Sequence, residues 1–303
     1  MAFAVGSRHA LSFVAESTYG TTPGTPSMKL LRQTGNTIGL TKETFLSDEI
    51  RSNRERTDLR HGTHQVGGDV PIELSYGAFD DFLAAALFST WSSDVLKVGT
   101  TVQSFTMERR FLDIAQYQPM TGCMVNTLAL NIQPNAMVTG TIGIIGQDGD
   151  ISGTSLGTPT DVATNAPFDS FTGALLEGGS AIASVSQLSL NLTNNITPAF
   201  VIGSKVTPQM IYGMSDMTGS LTAFFEDENL MNKFLNEEES SLAVTLTDPE
   251  GNDLEIDLPR IKYTSASVPV NSANEGVTVS MDFQALLSSS DASSIVITRT
   301  PAA

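Results

Sequence analysis

Apolar and polar side chains alternate with period two along most of this chain. Val70, Ile72, Leu74 and Tyr76 alternate with Pro71, Glu73 and Ser75. The pattern returns at Leu128, Leu130 and Ile132, and at Val138, Ile142 and Ile144 across intervening Thr and Gly. It continues at Leu188, Leu190 and Leu192, at Val244 and Leu246, at Leu254, Ile256 and Leu258, and from Val277 to Phe283. A strand turns successive side chains to opposite faces, so this pattern predicts half-buried antiparallel strands and a mainly β fold. Asp248-Pro-Glu-Gly-Asn252 joins two such runs with turn-forming residues and reads as a hairpin connection.

Two segments carry helical spacing instead. Phe79, Phe82, Leu83, Ala86 and Leu87 fall at i, i+3, i+4, i+7 and i+8, one apolar stripe. Asp80 and Asp81 lie in its first turn, where the helix dipole favours carboxylates. Met231, Phe234 and Leu235 form a second stripe behind Glu226, Asp227 and Glu228. Both stripes read as packing against a sheet. They also reveal a repeat: Phe79, Phe82 and Leu83 match Met231, Phe234 and Leu235 at an offset of 152, and Ile38 and Leu40 match Leu188 and Leu190 at 150. Each half then reads strand, long loop, strand, helix and several more strands. The predicted division is an arm at 1–30, one unit at 31–152, a linker at 153–180, a second unit at 181–288 and a tail at 289–303. Gly, Pro, Thr and Ala without period mark residues 153 to 167 as linker. In the tail, Ser294 to Thr300 reads as an added edge strand.

Composition narrows the function classes. The net charge of −17 is uneven: residues 1–110 hold 11 Lys+Arg against 12 Asp+Glu, leaving 5 against 21 for the rest, a balance of −16. No Lys or Arg occurs between Phe111 and Ser204. Such a surface cannot hold nucleic acid through phosphates. No apolar run approaches the roughly 18 to 20 residues of a membrane span, and the opening residues lack a signal-peptide pattern, so synthesis in the cytosol without membrane insertion is expected. Cys123, the single cysteine, lies in an apolar stretch and reads as a buried structural thiol. His61 and His64 share a loop with four arginines, a poor setting for a cation. Gly67-Gly68 reads as a hinge or bulge opening a strand rather than a phosphate cradle. No nucleophile elbow, P-loop or dinucleotide fingerprint occurs. Neither an enzyme nor a cofactor is expected.

The remaining signal lies in two loops at equivalent places in the repeat. The first, Ser47 to Arg60, carries Asp48, Glu49, Arg51, Arg54, Glu55, Arg56, Asp58 and Arg60 around Ile50. All its basic residues are Arg, which is favoured at interfaces for its bidentate pairing with carboxylates. The second, Ile196 to Tyr212, is apolar, with Phe200, Val201, Ile202, Met210, Ile211 and Tyr212. Exposed on a monomer, such a loop is a liability. Together they point to self-assembly.

Residues 10 to 91 resemble the major tail tube proteins of long-tailed, non-contractile bacteriophages. The resemblance rests on Glu16-Ser-Thr-Tyr-Gly-Thr-Thr-Pro23, Leu31-Arg-Gln-Thr-Gly35, Glu49-Ile-Arg51, Asp58-Leu-Arg-His-Gly62, Gly67-Gly-Asp69, Glu73-Leu-Ser-Tyr-Gly77 and Phe79-Asp-Asp81. It implies a tail-tube-type β-sandwich domain with one flanking helix, contributing strands to an inner β-barrel; with the internal repeat, two tandem domains of this kind are expected. It further implies a virion protein made in the bacterial cytoplasm, whose rings stack into a hollow tail that conducts DNA without binding it specifically. Its partners would be further copies of itself and the tail terminator, tape measure and tail-tip proteins. The long loops, here 43–65 and 194–216, are expected to reach the next ring, and the inner wall to be acidic. With the tube unit occurring twice, trimeric rings of pseudo-six-fold symmetry are expected. The alternatives are hexameric rings with one tube domain per chain, or a soluble β-sandwich decoration or receptor-binding module.

Overall fold

The computed structural model describes residues 3–171, 174–182, 184–270 and 272–302. It is 49% strand and 6% helix, a mainly β fold of β-sandwich type. In chain order come β1 (His9–Ala15), β2 (Lys29–Leu31), β3 (Gly39–Leu46), β4 (Leu59–Glu73), α1 (Asp80–Ala86), β5 (Val95–Lys97), β6 (Phe105–Phe111), β7 (Gln116–Ile132), β8 (Thr139–Gly146) and β9 (Asp148–Gly149). There follow β10 (Ala174–Glu177), β11 (Ser180–Ala181), β12 (Val185–Thr193), β13 (Thr197–Pro198), β14 (Met210–Ile211), β15 (Asp216–Phe224), α2 (Asn229–Leu235), β16 (Glu239–Thr247), β17 (Asp253–Ser267), β18 (Thr278–Ala285) and β19 (Val296–Thr300).

Two series of antiparallel pairings have the same order. The first runs β2–β1–β6–β7–β8–β4–β3. The second runs β11–β10–β16–β17–β18–β15–β12. Some of their irregularities correspond as well, although the β3–β4 and β12–β15 hairpins are irregular at different places. β7 bulges between Val125 and Thr127 against β8, and β17 bulges between Tyr263 and Ser265 against β18. These bulges fix the correspondence of residues. Gly68 lies opposite Ile144 and Gly219 opposite Phe283, the partners of Val125 and Tyr263, so Gly68 and Gly219 are counterparts. Across the hairpins, Gly219 pairs with Leu190, while Leu40 pairs with Val66 in the first series. The counterpart of Leu40 is therefore Leu192, two residues beyond the alignment read from the sequence. A two-residue slip keeps every side chain on its face, so alternation alone could not detect it.

The two series meet edge to edge. The end of β7 pairs with β12, with Leu128 opposite Leu192 and Leu130 opposite Leu190. Asn194 locks this seam from a buried position, its side-chain amide donating to the Ala86 carbonyl at 2.9 Å and the Val125 carbonyl at 3.0 Å. The main apolar core runs through both series. β19 makes a second link: it lies between β17 and β5 rather than at an edge. Arg299 on β19 pairs with Asp80 and Asp94 and stacks its guanidinium 4.2 Å from the Trp91 ring centre.

The segment after β9 is tied down along its length. The Glu108 carboxylate accepts from the Leu156 N–H at 2.7 Å and the Ser155 hydroxyl at 2.9 Å. Arg110 donates to the Gly157 carbonyl and Arg32 to the Asn165 carbonyl. Phe168 is fully buried, its backbone bonded to Leu74 and Val138. Residues 152–169 are thus a strap across the first series. Its backbone is satisfied by isolated backbone bridges and side chains of other elements rather than by a continuous ladder, which leaves no periodic signal in its own sequence.

The two helices differ. Phe79, Phe82, Leu83 and Leu87 are all buried, and Phe82 packs on Phe13 and Phe105 with ring centres 4.8 and 5.0 Å away. In α2 the helical residues in contact with the core are Leu230 and Phe234, at i and i+4. Met231 is half-buried, and Leu235, expected to pack on the sheet, is 66% exposed. Two turns of helix bury one narrow stripe, and Lys233, held by Glu177 at 2.6 Å, sets which stripe it is.

Candidate functional site

The first loop extends a hairpin. β3 and β4 stay paired as far as Leu46 opposite Leu59, carrying residues 47–58 to its tip. Phe45, Leu46, Ile50 and Leu59 are exposed there, Ile50 almost completely. The charges pair within the loop: Arg51 with Glu49 at 2.7 Å, Arg56 with Asp48, and Arg60 with Asp58 at 3.1 Å. Arg54, at φ +58, marks the turn. Exposed pairs of this kind contribute about 0 to 1 kcal/mol each. They shape the loop but add little to the stability of the fold, and their charges stay accessible to a neighbour.

The second loop is folded down. β13 and β14 form a small ladder, Thr197 with Ile211 and Pro198 with Met210. Buried Thr207 sits inside it, accepting from the Ala199 N–H at 3.0 Å and donating to the Gln209 carbonyl at 2.6 Å. The loop also reaches across to the first series. The His64 N–H donates to the Lys205 carbonyl at 2.9 Å, and the Gln147 side chain donates to the Thr207 carbonyl at 2.7 Å. The two loops therefore lie at the same end of the molecule.

Met210 does not belong with the contact candidates. It is 2% exposed and packs with Phe88, Met124 and Ile196 in a small second core. Alternation along β14 turns Met210 inward and leaves Ile211 outward. Phe200, Val201, Ile202, Ile211 and Tyr212 are exposed, with Tyr212 edge-on to Phe88 at 5.6 Å. Met214, also strongly exposed, extends this patch just beyond the stretch that the sequence marked.

The candidates for chemistry are accounted for structurally. His64 bonds Asp148 at 3.0 Å, and His61 is exposed on β4. Cys123 is fully buried, and burial pushes its thiol well above the usual range, so the thiolate is suppressed. No helix among the described residues is long and apolar enough to cross a membrane.

The model of the phage tail tube protein family matches residues 6–285, nearly the whole chain. The chain belongs to that family. It is a structural tail tube protein, a component of the virion tail. No curated protein matches it. The family match covers both pairing series, whereas the resemblance in sequence was concentrated in residues 10 to 91.

Proposed function

We propose that this tail tube protein assembles into rings of three copies, stacked into the hollow tube that conducts the genome to the host. Each chain would supply two tube domains, one built on the series from β1 to β8 and one on that from β10 to β18, so that strands of the expected arm at 1–30 and linker at 153–180 belong to the units at 31–152 and 181–288; this gives pseudo-six-fold symmetry. The observation that carries this reading is the recurrence of one seven-strand pairing order, with the bulge of β7 against β8 repeated in β17 against β18, in two series joined edge to edge. A ring built by repeating that joint needs three chains to present six equivalent units. The loops 47–58 and 196–212 would reach the adjacent ring. Tail terminator, tape measure and tip proteins would bound the stack, as the family implies.

The face of the sheet turned from the core supports passage of DNA. From the stretch of β4 paired with β8, Val66 to Glu73, across to β18 it presents mostly Ser, Thr and Asn, with Asp69, Glu73, Asp216 and Asp282, and no Lys or Arg. Phosphates find no counter-charge there. Screening confines the repulsion from these carboxylates to about 8 Å at physiological salt. The wall is thus polar with scattered carboxylates. Much of the acidic surplus lies elsewhere, before α2 at Glu226, Asp227 and Glu228 and around the β16–β17 turn at Asp248 and Glu250.

Negative-stain micrographs of the concentrated protein, averaged end-on, test this. Tubes with three chains per ring are expected. Six chains per ring would overturn the trimer, and a monomer that never forms filaments would overturn the assembly.

A further inference from the structure

The two strands that meet at the seam have counterparts with open edges. β12 lies between β15 and β7, but its counterpart β3 pairs only with β4 among the described residues. The end of β7 lies between β8 and β12, but beyond Tyr263 its counterpart in β17 pairs only with β18. One chain therefore carries one complete joint and the two complementary halves of another.

We propose that the open edge of β3 in one copy pairs antiparallel with the open edge of β17 in the next, in the register set by the seam. This rests on the ring reading above and names the contact that closes the ring. The bulges shift Val125 and Thr127 onto Tyr263 and Ser265, and the hairpin registers shift Leu192 onto Leu40. The seam pairs Leu128–Leu192, Leu130–Leu190 and Thr127–Thr193 then become Ala266–Leu40, Val268–Ile38 and Ser265–Thr41.

The side chains fit this register. On the core face the seam sets apolar against apolar, and so does the new ladder; Leu40, Ala266 and Val268 are partly buried against the core and Ile38 is fully buried. On the opposite face Thr127 meets Thr193 in the seam, and Ser265 would meet Thr41, both exposed. A one-residue slip would set apolar against polar along the ladder.

The backbone fits as well. The Asn194 N–H donates to the Asn126 carbonyl at 2.8 Å, so Asn126, Leu128 and Leu130 turn their polar groups toward β12. Their counterparts are Thr264, Ala266 and Val268. Pro269 falls between the donating positions, so its missing N–H interrupts nothing on this edge. On the facing strand the Thr37 N–H donates to the Asp69 carbonyl at 2.9 Å, which turns Ile38, Leu40 and Lys42 outward. The Ile38 carbonyl accepts from Arg109 at 2.9 Å and keeps a second lone pair for the neighbour. Lys42 and Pro269 are residue types that restrain open edges from indiscriminate pairing.

Disulfide trapping in the full chain tests the register. Thr41 and Ser265 would form a non-hydrogen-bonded pair, with Cα atoms about 4.5 Å apart, within disulfide reach. The double variant Thr41→Cys/Ser265→Cys is oxidised after assembly and run without reductant. Thr127→Cys/Thr193→Cys reports the seam within one chain as a positive control, and Thr41→Cys/Ser267→Cys reports a two-residue shift. The expected result is conversion of most monomer to covalent dimer and closed trimer, at least tenfold more than in the shifted variant. If tubes form and the seam control oxidises but Thr41→Cys/Ser265→Cys stays monomeric, or if the shifted pair wins, the register is overturned and the ring reading stands. Covalent ladders reaching six would keep the register and overturn the three-copy ring. A variant that, like the unmutated protein, never assembles would overturn both.

Discussion

Two glycines show how closely the strand backbones approach. A Cβ on Gly68 would stand 2.6 Å from the Thr37 carbonyl oxygen, and one on Gly219 would stand 2.5 Å from the Ser189 carbonyl oxygen. Gly68 also holds φ +146, a conformation that side-chain-bearing residues rarely adopt. The Phe283 ring would also obstruct a Cβ on Gly219, but because a backbone carbonyl obstructs each Cβ, neither site can relax by turning a rotamer alone. Gly68→Ala and Gly219→Ala should each destabilise the chain by about 1 to 3 kcal/mol in urea titrations, while Gly24→Ala, with open space around it, should stay within about 0.5 kcal/mol. Wild-type midpoints for the first two would mean that the hairpins can spread. The sequence marked Gly67-Gly68 as a hinge or bulge opening a strand, but both lie inside β4. Gly219 passed unnoticed among polar neighbours. What makes each glycine necessary is a carbonyl about thirty residues away, and no local pattern carries that information.

At the level of elements, the two loops separate residues that hold the fold from residues free to meet a neighbour. Met210→Ala should cost about 2 to 5 kcal/mol, because it empties a site among Phe88, Met124 and Ile196. Ile202→Ser should leave the melting of the unassembled chain unchanged within about 0.5 kcal/mol and reduce tube formation. The reverse pattern would mean that the loop is anchored by its tip. Reversing charge at Arg51, Arg54 and Arg56 should leave subunits folded by circular dichroism, since the pairs broken are exposed. The same variant should shorten tubes on micrographs, and tubes of normal length would remove the loop from the stacking contact. Both loops stand out by composition alone, and most of their side chains are exposed. The inward turn of Met210 was not legible, because it depends on a two-residue ladder between β13 and β14. The exposure of Leu235 was hidden for a similar reason: a short helix offers several stripes, and an ion pair made elsewhere by Lys233 chooses among them.

At the level of the whole molecule, the succession of strands from β3 and from β12 onward was legible because alternation and spacing survive in each half, whereas β1, β2, β10 and β11 fall in stretches that read as arm and linker and are placed by pairing with β6 and β16. The seam was not legible. An alternating strand fits any edge of matching pattern, and β7 and β12 are brought together by a strap whose sequence is aperiodic. That joint decides how the molecule behaves as a unit. Separate domains on a flexible linker would melt independently. Here the β7–β12 ladder, the β19 link to β5, and one apolar core couple the halves. Scanning calorimetry of the unassembled chain should therefore show one transition, with calorimetric and van't Hoff enthalpies in agreement. Asn194→Ala tests the coupling directly. It leaves the buried carbonyls of Ala86 and Val125 without this donor, at a cost of about 1 to 3 kcal/mol for each acceptor left unsatisfied. If the seam transmits cooperativity, the variant's single transition should move down whole. If it splits into two, with one half melting at the wild-type temperature, the halves are stable alone and the seam only aligns them. In a ring that repeats this joint between chains, the first outcome makes closure a stabilising event for every subunit. Assembled rings should then melt well above the free chain, by an amount that Asn194→Ala does not remove.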